Sequence, residues 1–261
     1  MCGRYSLTRR QQEISERFGL DQILGEFAPR FNISPTQNVP VILQVDGKKT
    51  MEAFQWGLVP SWVKDLKAAK PMINARSETL IEKPSFKSSL IKRRCLVPAD
   101  GFYEWKTSGK SKTPMFIHCT DDRLFAFAGI YAERKNEDGT KMRSFSIITC
   151  AANDTVSPVH DRMPVILPPE LESRWLDPEL QDPTELVQIL NPFPNELITM
   201  HQVSRDVNSA KTDAAHMVEP IDAETAAVEE AADAEARSTK PRKKKEQSGP
   251  YDAGVQLGLF N

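Results

Sequence analysis

Apolar residues first recur at helical spacing in "TRRQQEISERFGL", where Ile14, Phe18 and Leu20 bracket Gly19. Thr8 with Gln11 three residues on reads as an N-terminal cap, and Gly19 as the stop of a short amphipathic helix. The period then shortens. Strand-like runs follow in "VPVILQV", "TMEAFQW", "RRCLVPA", "GFYEWK", "TPMFIHC", "RLFAFAGIY" and "RSFSIITCA", separated by turn residues in "VDGK", "TSGK" and "NEDGT". Helical spacing returns in "KPSFKSSLIKR", "PPELESRWL" and "DPTELVQIL", the last two with proline in their first turn. Many short strands and few helices predict an α+β fold: a curved, barrel-like sheet, mixed or antiparallel, flanked by a few helices.

The pattern breaks near Val218. "EPIDAETAAVEEAADAEARSTKPRKKKEQSGPYDAG" has almost no large apolar residues, so residues 219–254 read as a disordered linker, acidic and then basic, with transient helix at most in "AETAAVEEAADAEAR". Residues 1–218 form the expected folded domain. The final "VQLGLFN" (255–261) turns apolar again. No apolar run approaches the ~20 residues that cross a bilayer, and the start lacks a signal-peptide pattern, so a cytoplasmic protein is expected.

The net charge of −2 conceals a division: nine acids and six bases lie from Glu219 onward, leaving 27 acids against 28 bases before it. A nucleic-acid role would have to rest on a local basic surface. Four cysteines (Cys2, Cys95, Cys119, Cys150) are spread without CxxC pairs or nearby histidines, which argues against zinc and a disulfide framework. Cys95, Cys119 and Cys150 sit in strand-like apolar runs and read as small core residues. Cys2, in "MCGRY", has no such setting.

Removal of Met1 would give Cys2 an α-amine and a thiol on adjacent carbons. With ordinary values near ~7.7–8.0 and ~8.5, both would be partly deprotonated at neutral pH. An aldehyde meeting this pair forms a Schiff base with the amine, and the sulfur closes a thiazolidine. The rival reading is an incidental terminal residue. In "GFYEWK", strand alternation puts Phe102 and Glu104 on one face, Tyr103 and Trp105 on the other; an apolar setting would raise the Glu104 carboxyl and suit it to acid/base work, unless it is a strand-end partner of an arginine. "PVHDRMPVIL" offers His160 for proton transfer, or as a structural histidine, with Arg162 on the same face of an extended chain. "MINARSE" pairs Asn74 with Arg76, either to orient a carbonyl and a phosphate or to close a loop. Arg4, Lys83, Lys87, Lys92, Arg93, Arg94 and Arg143, interleaved with Trp56, Trp62 and Trp105, would suit single-stranded nucleic acid; core tryptophans and solvated charges are the alternative.

In order along the chain, "MCGRY", "FNISPTQ", "WGLVPSW", "INARSET", "GFYEWK" and "VHDRMPVIL" together resemble the SOS-response-associated peptidase (SRAP) family, which shields abasic sites in DNA. The resemblance runs from Cys2 to about "HQVSRDVNSAK". It implies that the processed Cys2 attacks the ring-opened aldehyde of an abasic site in single-stranded DNA and leaves a thiazolidine cross-link. It further implies that Asn74 orients the sugar or terminal amine, that Glu104 is the acid/base, and that His160 aids proton transfer and reversal. Arg4, Arg76 and Arg162 would hold phosphates, with Pro35 and Trp62 near unstacked bases and Thr149 lining the pocket; Lys83 stands where some relatives carry arginine. Self-catalysed peptidase activity releasing Met1 is a secondary implication. No metal and no cofactor is expected, and a monomer is.

Gln256, Leu257, Leu259 and Phe260 in "QLGLF" resemble the short peptide by which bacterial replication and repair proteins dock on the sliding clamp. An unfolded tether carrying apolar anchors would raise the domain's effective concentration there. The basic "KPRKKK" before it suits a nonspecific DNA contact, with a nuclear signal as its rival.

Overall fold

The computed structural model describes residues 2–63, 69–135 and 139–239. In chain order its elements are β1 (Tyr5–Leu7), α1 (Gln11–Phe18), β2 (Gln22–Leu24), β3 (Arg30–Ile33), β4 (Asn38–Val45), β5 (Lys48–Trp56), β6 (Asn74–Arg76), α2 (Pro84–Lys92), β7 (Arg94–Ala99) and β8 (Gly101–Ser108). These are followed by β9 (Ser111–Cys119), β10 (Phe125–Lys135), β11 (Lys141–Ala151), β12 (Arg162–Pro164), β13 (Ile166–Leu167), α3 (Pro169–Leu176), α4 (Pro183–Gln188), β14 (Ile198–Gln202) and α5 (Ala223–Thr239).

Five strands close on themselves. β5 pairs with β4, β4 with β7, β7 with β10 and β10 with β11, all antiparallel. A parallel pairing of β11 with β5, Ser144 opposite Gln55 and Phe145 opposite Trp56, completes the ring. The predicted curved, barrel-like mixed sheet is therefore a closed five-stranded barrel. A second, open sheet runs β14-β9-β8-β1-β3. Its β1 and β8 lie against the barrel: Tyr5 meets Trp56 at 5.2 Å and Phe127 at 5.8 Å between ring centroids, and Phe102 meets Phe127 at 6.1 Å. Such edge-on pairs fill a core without voids and add to the burial of their large apolar surfaces.

Helices cover the flanks. α1 buries Ile14 and Phe18 and ends at Gly19, whose φ of 61° is the left-handed cap that glycine adopts without steric cost. Thr8 is not its cap. Glu13 accepts from the Arg10 N–H at 3.0 Å at the helix start, while the Thr8 Oγ1 donates to Asp100 at 2.7 Å and ties β1 to the turn before β8. Arg17 forms a two-pronged pair with Glu172 on α3, and the Trp175 indole of α3 donates to the Cys95 carbonyl at 3.0 Å.

The segment read as a disordered linker begins as the helix α5. Its alanine and glutamate content favours helix, and Glu229 anchors it by accepting from Ser204 Oγ at 2.7 Å and the Arg205 N–H at 2.9 Å. Residues 240–254 of that segment and the terminal "QLGLF" lie outside the described residues. Among the described residues no helix is long and apolar enough to cross a membrane.

Candidate functional site

The antiparallel register of β1 with β8 sets Tyr5 opposite Phe102, and the Tyr103 N–H donates to the Arg4 carbonyl at 2.9 Å. Continuing that register brings Gly3 beside Glu104 and delivers Cys2 to the seam between the open sheet and the barrel. From the barrel side, β6 pairs in parallel with β11, setting Asn74 opposite Ile147 and Arg76 opposite Thr149, and β12 sets Pro164 opposite Thr149. The turn into this region depends on Gly57. Its φ is 127°, and a Cβ there would come within 2.7 Å of Pro71.

Cys2 is fully buried, as are the other three cysteines, so the view that it alone lacks a core setting is corrected. Its carbonyl accepts from Asn74 Nδ2 at 2.8 Å. Burial pushes the thiol well above its ordinary value, and the Glu104 charge pushes further. With Met1 in place, burial thus disfavours the ionised thiol, opposite in direction to the partly ionised thiol expected of the processed terminus. Asn74 Oδ1 is buried and has no hydrogen-bond partner among the described residues, an acceptor left for a donor arriving beside Cys2.

Glu104 is 4% exposed on β8. Burial raises its carboxyl above the usual range, opposed by the positive charge at the chain terminus and by His160. The expected strand alternation holds, since Phe102 enters the main core while Tyr103 joins Phe116, Val203 and Val207 in a second apolar cluster. His160 lies in the loop between β11 and β12. Its Nδ1 is 3.0 Å from the Arg162 N–H and 2.8 Å from Asp161 Oδ1. These contacts are alternatives: neutral Nδ1 accepts from the backbone, protonated Nδ1 donates to the carboxylate.

The four arginine and lysine positions differ. Arg76 and Lys83 are exposed. Arg4 is half-buried, its Nη1 donating to Asn32 Oδ1 at 2.8 Å and to the Val207 carbonyl at 2.9 Å. Arg162 grips Glu78 with both Nη atoms at 3.0 and 2.9 Å and also bonds the Thr149 carbonyl and hydroxyl. Trp62 is exposed and Pro35 partly so, whereas Trp56 is core, its indole bonded to the Ile73 carbonyl. Arg94 is also structural, bonded to four backbone carbonyls at and before the end of α2 and around the end of α3, and Arg143 pairs with Glu52 and Glu133. Arg94 and Arg143 thus drop out of the basic surface envisaged from the sequence, while Lys83, Lys87 and Lys92 are exposed. Glu78, which occupies Arg162, was not singled out by sequence reasoning; nothing in "INARSET" shows that its acid meets an arginine 84 residues on. Among the described residues no three histidine, cysteine or acidic side chains converge as a metal site requires.

The chain was compared with known proteins. The model of a family described as "SOS response associated peptidase (SRAP)" matches residues 1–210. The abasic site processing protein YoqW of Bacillus subtilis (strain 168) is 42% identical over 222 residues, spanning 84% of this chain and 99% of that protein. The abasic site processing protein HMCES of Gallus gallus is 34% identical over 230 residues, 76% of this chain and 68% of that one. A crystal structure of a protein from Bacteroides thetaiotaomicron superposes with a TM-score of 0.77 at 29% identity, covering 84% of this chain and all of that one.

Proposed function

Since the chain belongs to the SOS response associated peptidase (SRAP) family, we propose that it captures abasic sites in single-stranded DNA covalently, through a thiazolidine formed by Cys2 after Met1 is removed. The observation that carries this reading is the hydrogen bond from Asn74 to the Cys2 carbonyl within reach of the Glu104 charge: an otherwise unremarkable second residue is held rigidly beside a buried acid.

Burial disfavours ionisation of the sulfur, and this sets the order of events. The amine acts first, adding to the aldehyde and expelling water to give an iminium ion. The Sγ–H then adds to the iminium carbon and loses its proton, closing the ring. Glu104, raised by burial, donates to the ring oxygen as the cyclic sugar opens and takes up protons afterwards. The unpartnered Asn74 Oδ1 receives the new amine N–H. His160 takes up a proton at Nδ1, where the Asp161 carboxylate accepts a hydrogen bond from it, and returns the proton to the reacting groups. Arg4, Arg76 and Arg162 hold flanking phosphates, and Trp62 and Pro35 meet unstacked bases. The product would shield the lesion at a damaged replication fork, and "QLGLF" would bring the protein there through the bacterial sliding clamp.

One experiment separates this from an N-terminal-cysteine hydrolase and from a noncovalent DNA reader. Mature protein is incubated with single-stranded DNA carrying one abasic site and run on a denaturing gel. A shifted band is expected; its absence rejects covalent capture. Cys2→Ser keeps the amine and should give only an imine that borohydride traps. For the tail, Leu259→Ala with Phe260→Ala should abolish clamp binding while cross-linking persists; equal clamp affinity of variant and parent rejects that role.

A further inference from the structure

Glu104 and His160 also line a cavity of about 450 Å³ whose far wall has no part in the steps above. Its remaining walls include Trp105 on β8, Lys112 on β9, and Arg205 and Asn208 in the turn after β14. Two cations therefore face one carboxyl group, whose ordinary value burial raises. The wall is built rather than incidental. The Arg205 guanidinium donates to the Lys112 carbonyl at 3.1 Å and Ser111 Oγ at 3.2 Å, while its backbone N–H is held by Glu229. The Trp105 indole donates to Asn208 Oδ1 at 2.7 Å, which fixes the amide so that its NH₂ is the side left to donate.

An abasic nucleotide carries a phosphodiester on each side. Arg76 and Arg162 stand on β6 and β12, whereas Lys112, Arg205 and Asn208 come from the open-sheet side of this cavity, across it from Val159 and His160 of the loop between β11 and β12. A strand held by Arg76 and Arg162 on one flank of the reacting sugar can present its next phosphate to the cations across the cavity. We propose that this cavity is a phosphodiester subsite, in which Lys112, Arg205 and the Asn208 amide hold the phosphate next to the abasic residue and so fix the strand on both flanks of the reacting sugar. The inference rests on the DNA reading above.

The test uses intact single-stranded DNA without abasic sites, so it does not depend on the cross-linking chemistry. Binding is followed by fluorescence anisotropy across a salt series for the parent, Lys112→Gln and Arg205→Gln. Each lost phosphate contact on a single strand makes the slope of log K against log salt shallower by about 0.7, so each variant should show that change, and Lys112→Arg should restore it. Lys112 is exposed, so its variants retain the fold, which thermal unfolding checks. Slopes equal to the parent's overturn the subsite. In a second arm, the abasic residue is placed at the 5′ or the 3′ end of the strand. The variants' cross-linking deficit should vanish for one end and persist for the other; a deficit of equal size at both ends also overturns it. If the parent itself fails to cross-link, the proposed function falls while the salt series still decides whether the cavity binds phosphate.

Discussion

The barrel and the open sheet do different work. The barrel has no free edge within its ring, and its interior is filled with rings such as Trp56, which stacks on Phe145 at 6.5 Å between centroids. The open sheet has edges at β14 and β3, and among the described residues its outer face carries the small cluster of Tyr103, Phe116, Val203 and Val207, with Trp105 and Val218 packed against it. The candidate chemistry belongs wholly to neither. Cys2 and Glu104 come from the open sheet, while Asn74, Arg76, Thr149 and Arg162 come from β11 and the short strands beside it. A filled barrel offers no room for a substrate, and an open sheet alone cannot bury an acid. The seam supplies both a dry wall and an approach.

The largest break in this picture is Glu104→Gln, which keeps shape and removes the acid. Cross-link formation is expected to slow by roughly 10²–10⁴-fold, the usual worth of general acid/base assistance, measured as a rate on abasic single-stranded DNA. Stability should move the other way. Because the folded carboxyl titrates above its unfolded value of about 4.3, the unfolded state loses its proton first, and the acid destabilises the fold once pH rises past that point. Glu104→Gln should therefore melt at or above the parent temperature at neutral pH, with the gain shrinking toward pH 4. A variant that loses stability at neutral pH would show that Glu104 is a structural partner instead.

A smaller contrast tests whether the two sheets are one unit. Trp56→Ala should cost about 3–5 kcal/mol, and Val207→Ala about 2 kcal/mol, since the latter removes two carbons from the outer cluster. Tyr5 and Phe102 of the open sheet belong to the same core as Trp56, so both variants should unfold in a single transition. An early separate transition in Val207→Ala would mean that the outer sheet melts by itself and that the seam is a hinge. Denaturant titration followed by far-UV circular dichroism decides between them.

The long strands were legible because alternation and turn residues are local signals: "VPVILQV" and "GFYEWK" announce β4 and β8 without help from the rest of the chain. The short strands β6 and β14 were not, because three to five residues carry too little period. Barrel closure was hidden for another reason, since the parallel pairing of β5 with β11 depends on residues almost ninety positions apart. The same holds within the site. Glu104 and His160 could be suspected from residue type and setting, but the burial of Cys2 follows from where the barrel wall stands. Arg4 reaches a carbonyl 203 positions on, and Thr8 serves Asp100 instead of its neighbouring helix, for reasons no local pattern contains.

The smallest effect concerns which side of the seam Arg162 serves. Its guanidinium is largely covered and Glu78 is about half exposed, so their two-pronged pair is worth no more than about 1 kcal/mol after solvent screening. The arginine holds the Glu78 carboxyl below its ordinary range, so that contribution is present at neutral pH and is lost as pH falls through the depressed value. If Arg162 is a phosphate holder kept aligned by Glu78 until DNA arrives, Glu78→Gln removes a competitor for the same N–H groups. Affinity for single-stranded DNA should then rise, by at most about fivefold, at a stability cost of under about 1 kcal/mol. If Arg162 only clamps β12 to the turn after β6, affinity stays level and the melting temperature alone falls. Anisotropy and thermal unfolding on the same pair of proteins therefore assign Arg162 to the substrate or to the barrel wall.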